Sequence, residues 1–160
     1  MPSTADLCDA HAADVRIAQP IFRSYGGLRE CRGRIETVKT FEDNSMVRAA
    51  LEENGAGKVL VVDGGGSLDC ALLGDRLAAL AVTNRWCGVV VNGCIRDARA
   101  IGETHLTVFA LHTHPMKSHK RGLGDRNVPV QFAGIEFAPG HYVYADEDGI
   151  IVSAASFDEE

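Results

Sequence analysis

Two short runs of apolar, β-branched residues, each stopped by glycine, dominate the hydrophobic pattern of this chain. The first, Val59-Leu60-Val61-Val62, runs into Asp63-Gly64-Gly65-Gly66-Ser67; the second, Val89-Val90-Val91, stops at Asn92-Gly93-Cys94. Runs of this length and composition read as buried strands. Between them Leu73, Leu77, Leu80 and Ala81 recur at i, i+4, i+7 and i+8, the spacing of one buried helix face. Strand, glycine turn, helix and strand together predict a βαβ unit, with Ile95-Arg96-Asp97 opening the next segment. Ligands of parallel sheets bind in the crevice beyond the carboxyl ends of the strands. Both turns, and with them Asp75, Arg96 and Asp97, are expected at that edge. Gly74 interrupts the helical face, where a glycine costs about 1 kcal/mol relative to alanine, so a packing or backbone-approach reason is needed for it.

The flanking pattern is simpler. Thr4 to His11 predicts a short helix with Thr4 as its cap. Arg16 to Glu30, broken by Pro20 and Gly26-Gly27, reads as irregular. Arg32 to Thr40 alternates as a strand. Asp43-Asn44 is expected to cap a helix from Ser45 to about Glu53, with Met46, Ala49-Ala50 and Leu51 as its apolar face and Gly55-Ala56-Gly57 ending it. Thr107 to Leu111 is a third short strand, followed by a polar loop from His112 to Asn127. Val128 to Phe132, Gly134 to Phe137, His141 to Ala145 and Gly149 to Ser153 are strand-like between glycine and proline turns, which suggests an antiparallel or mixed sheet beside the parallel unit.

Composition narrows the function. The 160 residues suit one domain with a sizeable core. With 16 basic and 22 acidic residues the net charge is −6, and the scattered Lys117, Lys120 and Arg121 form no basic stripe, which argues against direct nucleic-acid binding. The five cysteines are odd in number and contain no C-x-x-C pair, so they read as small buried hydrophobes in a reducing compartment. No signal-peptide pattern opens the chain and no apolar run reaches membrane-spanning length, so a cytoplasmic protein without a membrane span is expected.

The candidate chemistry starts at the glycine turns. Gly64 to Ser67 suggests a phosphate cradle or a methyltransferase-like turn, yet Asp69 stands where the dinucleotide fingerprint needs glycine, and no P-loop lysine follows. Bare backbone N–H groups that can approach a carboxylate are what such glycines do supply. Arg96 suits a planar carboxylate, which guanidinium grips bidentately. Asp97 suits Mg²⁺, which takes one carboxylate plus waters and a chelating substrate. A first-turn acid and a surface cation explain the same two residues equally well, and Asp75 reads also as a plain helix-start residue. His112, His114 and His119 satisfy a ligand count for zinc but no known spacing, and exposed loop histidines account for them better. A Schiff-base lysine is poorly supported, since Lys39 and Lys58 follow no glycine turn.

Asp75, a gap of twenty residues, then Arg96-Asp97 completes the pattern Asp-x20-Arg-Asp. That pattern resembles the family joining the regulator of ribonuclease activity A (RraA) proteins to the 4-hydroxy-4-methyl-2-oxoglutarate aldolases. Thr37-Val38-Lys39, Phe41-Glu42-Asp43-Asn44, Val59 to Ser67, Gly93, Tyr144-Ala145-Asp146 and Asp148 to Ile151 agree with it. The resemblance covers nearly the whole chain and implies a single RraA-like domain over residues 1–160. It implies an α/β fold, a three-layer β/β/α sandwich of the swivelling phosphohistidine-domain type, assembled as a trimer or a dimer of trimers.

Two activities are implied. The aldolase branch cleaves 4-hydroxy-4-methyl-2-oxoglutarate to two pyruvates and decarboxylates oxaloacetate with a divalent metal. The regulator branch binds and inhibits ribonuclease E, and its members can lack the Asp after the Arg. This chain keeps Asp75 and Asp97, which favours a metal-dependent lyase acting through a pyruvate enolate. Asp97 is then the ligand of Mg²⁺ or Mn²⁺, Arg96 binds the 2-oxo acid, and Gly74, Asp75, Arg76 and Leu77 line the same pocket. Asp75 positions a water that exchanges protons with the substrate. The longer aldolases carry a C-terminal segment that can lend a carboxylate to a neighbouring subunit. The present sequence closes on Phe157-Asp158-Glu159-Glu160, as the short regulator-like members do.

Overall fold

The structure, a computed structural model, describes residues 1–158. Glu159 and Glu160 of the closing stretch lie outside the described residues. The chain forms α1 (Thr4–Ala10), β1 (Val15–Ile17), β2 (Arg23–Ser24), β3 (Cys31–Lys39), α2 (Ser45–Leu51), β4 (Lys58–Asp63), β5 (Ala71–Leu73) and α3 (Asp75–Thr83). It continues through β6 (Gly88–Ile95), α4 (Ala98–Gly102), β7 (Thr107–Thr113), β8 (Asp125–Arg126), β9 (Val130–Phe132), β10 (Ile135–Phe137), β11 (Tyr142–Asp146) and β12 (Gly149–Ser153).

One mixed sheet of ten strands runs β1-β12-β11-β3-β4-β6-β7-β2, with β5 added to the end of β6 and β8 to the end of β3. Its centre, β3-β4-β6-β7, is parallel. Sequential parallel strands with crossovers of one hand put their helices on one face. Accordingly Val47, Ala50 and Leu51 of α2, Leu77, Ala78 and Ala81 of α3, and Ile101 of α4 share a core with Leu60, Val62, Val89 and Val91. On the other face Val59, Val61 and Val90 pack under the separate β9–β10 hairpin, against Phe132, Ile135 and Phe137. Strands covered on both sides need apolar residues at every position, which explains the unbroken valine runs. The expected mixed α/β architecture, with a large sheet and few helices, is present. Among the described residues, no helix is long and apolar enough to cross a membrane.

Several boundaries differ from expectation, each for a local reason. Ser3, not Thr4, caps α1: its hydroxyl accepts from the Asp6 amide while Asp6 returns a bond to the Ser3 amide. Thr4 instead ties α1 to β11 through the Asp146 carboxylate. The stretch from Arg16 to Glu30 is not wholly irregular, because β1 and β2 pair there with β12 and β7. Val47, not Met46, leads the buried face of α2, and that helix ends at Leu51. Leu73 belongs to β5 rather than to the helix, which begins at Asp75. The strand expected to stop at Asn92 continues as β6 to Ile95 past a bulge between Val91 and Cys94. His112 and Thr113 likewise extend β7 into the expected loop.

Candidate active site

The extension of β6 creates the site. Beyond its bulge, β6 takes β5 as a parallel neighbour, with Ala71 opposite Cys94 and Leu73 opposite Ile95. The Arg96 amide then donates to the Leu73 carbonyl at 2.9 Å. The exit of β5 into Gly74-Asp75 and the exit of β6 into Arg96-Asp97 therefore lie side by side. The twenty-residue spacing of the motif is the length of α3 and its return strand.

Asp97 sits in the left-handed region (φ 59°, ψ 42°), which aspartate tolerates better than most residues. Although it heads α4, its side chain makes no cap bond there and turns to the neighbouring helix. Its Oδ2 accepts from the Asp75 amide at 3.0 Å, at the start of α3. First-turn amides have no partner within their own helix, and the positive end of the helix dipole favours a carboxylate. Gly74 precedes α3 in ordinary extended backbone (φ −125°, ψ −170°), so the mid-helix glycine cost does not arise. The requirement is space. A Cβ at Gly74 would stand 2.8 Å from Asp97 Oδ2 and 3.5 Å from Arg96 Cγ.

These residues line one wall of a cleft of about 560 Å³ that includes Gly74, Asp75, Arg76, Leu77, Arg96 and Asp97. All six positions singled out from the sequence are thus brought together. Asp75, Arg76 and Asp97 are exposed, Arg96 is half-buried and Leu77 is buried. The facing wall was not anticipated. It consists of Asn44 and Arg48 from α2 and of Lys117, Ser118 and Lys120 from the loop after β7. Five cations (Arg48, Arg76, Arg96, Lys117, Lys120) meet two acids (Asp75, Asp97) in this cleft, although the whole chain carries −6. Among the described residues, Arg76, Arg96, Lys117 and Lys120 form no salt bridge. Such a concavity focuses a positive potential and favours an anionic ligand with more than one charge. Asn44 donates through Nδ2 to the Leu72 carbonyl at 3.4 Å, while its Oδ1 is buried without a donor.

The facing wall is held by Asp43, which is only 2% exposed. Its Oδ1 accepts from the Ser45 amide (2.8 Å) and hydroxyl (2.6 Å). Its Oδ2 accepts from the amides of Arg121 (2.7 Å) and Leu123 (3.1 Å). Burial pushes this carboxyl upward, but the bonds from Ser45, Arg121 and Leu123 outweigh it and lower the pKa to about 2. Two further bonds brace the loop: Asn44 N–H to Ser118 Oγ at 3.1 Å and Gly122 N–H to Ser45 Oγ at 3.1 Å.

Other candidates fare differently. The amides of Gly64 and Gly66 donate to the Asn92 carbonyl, that of Gly65 to Asp63 Oδ1, and that of Ser67 to the Gly64 carbonyl. The loop consumes its own donors and offers no free row of amides to a phosphate or carboxylate. His112 and His119 are exposed, and His114 adjoins a small recess beside Arg96 and Asp97. Among the described residues, no group of three or more His, Cys, Asp or Glu could hold a metal. A lone exposed carboxylate therefore suits a hard cation that keeps waters and substrate as its other ligands, not a protein-built zinc cage. Cys70 and Cys94 are buried, and that burial raises their thiol pKa values, consistent with a packing role.

The chain is similar to known proteins along nearly its whole length. The family model described as RraA-like, aldolase/RraA, matches residues 4–152. A protein of Aromatoleum aromaticum named "Putative 4-hydroxy-4-methyl-2-oxoglutarate aldolase" is 61% identical over 153 residues, 96% of each chain. A Geobacillus kaustophilus structure described as S-adenosylmethionine:2-dimethylmenaquinone methyltransferase superposes with a TM-score of 0.97 at 47% identity, covering 99% of both chains. The structure of the RNA-processing inhibitor RraA from Thermus thermophilus gives a TM-score of 0.94 at 42% identity, covering 100% of this chain and 98% of that one.

Two outcomes follow from the geometry. Gly74→Ala must displace the Asp97 carboxylate from the Asp75 amide, so hydrogen exchange at that amide should quicken about tenfold or more, while the melting temperature falls by only a few degrees. Exchange equal to wild type would show that the carboxylate does not depend on the missing Cβ. Asp43 has a folded pKa near 2, below the ~3.9 of an unfolded aspartate, so its stabilisation is complete above about pH 4 and is lost as pH falls toward 2. Asp43→Asn should therefore be less stable than wild type at pH 7, and urea unfolding across pH should show the gap closing between pH ~4 and ~2. A constant gap would contradict the assignment.

Proposed function

The chain belongs to the RraA-like, aldolase/RraA family, and on that premise we propose that it is a divalent-metal-dependent carbon–carbon lyase of 2-oxo acids. Its reactions are aldol cleavage of 4-hydroxy-4-methyl-2-oxoglutarate to two pyruvates and decarboxylation of oxaloacetate. The observation that carries this reading is the juxtaposition of Asp75, Arg96 and Asp97 in a cleft whose charge is otherwise cationic. Asp97 is the residue that would hold the cation, Mg²⁺ or Mn²⁺, which when bound supplies Lewis-acid stabilisation of charge developing on the 2-oxo oxygen.

The protein's own groups do the rest. The Arg96 guanidinium grips the 2-oxo acid end, and the first turn of α3 from Gly74 to Leu77 packs along it. Lys117 and Lys120 on the facing wall take the carboxylate at the substrate's other end. In aldol cleavage the C4 hydroxyl proton leaves through a water held by the Asp75 carboxylate. The C3–C4 bond breaks and its electron pair moves to the 2-oxo oxygen, giving one pyruvate and an enolate. Arg96 offsets the enolate charge until a proton returns to carbon. Oxaloacetate loses CO₂ to the same enolate, so one site serves both reactions.

The same reading extends to a single cytoplasmic domain of the swivelling phosphohistidine type, assembled as a trimer or a dimer of trimers. Exposed Phe41, Leu68, Met116 and Leu123, on loops leaving the carboxyl ends of the strands, fit such an assembly. They equally favour a second reading, a regulator that binds and inhibits ribonuclease E; the Thermus neighbour is described as an RNA-processing inhibitor. The methyltransferase description belongs to the Geobacillus protein; here the glycine loop has spent its amides internally.

Pyruvate release from oxaloacetate in Mg²⁺ should be abolished by EDTA and by Asp97→Ala, with the fold retained by circular dichroism. Undiminished turnover in chelator, or no turnover beside clear inhibition of RNA cleavage, would sink the lyase reading. Asp75→Asn should depress aldol cleavage far more than decarboxylation, since only cleavage removes a hydroxyl proton, and such groups contribute roughly 10²–10⁴-fold. Equal losses in both reactions, with a lower melting temperature, would return Asp75 to a structural helix-start role.

A further inference from the structure

The loop that carries Lys117, Ser118 and Lys120 has no helix or extended strand of its own, yet these three residues line the cleft. Its order is borrowed. The Ala71 amide donates to the Met116 carbonyl at 2.8 Å at one end, and at the other Asp43 collects the amides of Arg121 and Leu123. Asp43 is distant in sequence from both and does not line the cleft itself. The Thr40 hydroxyl donates to the Asp43 carbonyl at 2.6 Å, which fixes the backbone that aims the carboxylate. One buried side chain thus ties the far end of the lysine loop to the start of α2, beside the Asn44–Ser118 and Gly122–Ser45 bonds.

We propose that Asp43 is a positioning residue: its carboxylate clamps the Lys117–Lys120 loop to the start of α2 and so sets the cleft's affinity for the carboxylate farthest from the 2-oxo group. This rests on the reading of the cleft as a 2-oxo dicarboxylate site. Each carboxylate oxygen accepts two donors, so an amide in its place cannot serve both pairs. Asp43→Asn leaves an N–H facing an N–H whichever way it turns, toward the Ser45 amide or toward those of Arg121 and Leu123, so one side of the clamp between α2 and the loop must shift. The Arg96–Asp97 end, built on β5 and β6, has no bond to Asp43 and keeps its geometry.

The test compares two probes on the intact protein in Mg²⁺: 2-oxoglutarate, with a distal carboxylate, and pyruvate, without one. Calorimetric titration of Asp43→Asn should give 2-oxoglutarate binding weakened about tenfold with pyruvate within about twofold, and oxaloacetate turnover should show a raised KM with kcat nearly kept. Ser45→Ala, which removes one donor to Asp43 and the Gly122 brace without touching the carboxylate, should move the same quantities in the same direction by less. It carries the test if Asp43→Asn fails to fold. Equal weakening of both probes, or unchanged discrimination between them, overturns the positioning role while leaving the lyase reading intact. Wild type that binds neither probe overturns both.

Discussion

One short contact organises the site: the Asp97 carboxylate against the Asp75 backbone amide. It joins the end of β6 to the start of α3, two points brought together only because β5 inserts beside the bulged end of β6. The contact satisfies an orphan donor at a helix start and places a carboxylate in the favourable field of that helix. It tolerates no side chain at residue 74, and it asks residue 97 to accept a left-handed backbone. Glycine at 74 and aspartate at 97 follow from that geometry before any chemistry is considered.

The rest of the cleft depends on a second anchor. Asp43 holds the far end of the lysine loop while the β5–β6 junction holds the arginine. β5 serves both, since its Ala71 amide also fixes the start of the lysine loop at Met116 and its Leu72 carbonyl receives Asn44. A cationic cleft on an acidic protein draws anions inward.

The parallel core was legible because strands buried on both faces leave an unmistakable apolar run, and the α3 periodicity placed its neighbour. Arg96 and Asp97 were legible for a related reason, since they follow such a strand, and Asp75 through its twenty-residue spacing from them. Gly74 was visible as an anomaly, but its explanation lay in a partner twenty-three residues on. Three-residue β5 and two-residue β2 and β8 were not legible, since so few residues show no period, and pairing with distant strands alone makes them extended. Lys117 and Lys120 looked like scattered surface charge. Long-range bonds hold that loop at the cleft, those accepted by Asp43 across 78 and 80 residues together with those from Ala71 to Met116 and from Asn44 to Ser118.

The central claim is that this cleft generates a pyruvate enolate. The most direct measurement follows the pyruvate methyl signal by proton NMR in D₂O with Mg²⁺, because exchange for deuterium reports enolate formation without any carbon–carbon cleavage. The account predicts protein-dependent loss of the methyl signal, arrested by EDTA and in Arg96→Lys, which keeps the charge but lacks the planar fork. A methyl signal that decays no faster with the protein than with Mg²⁺ alone would contradict it.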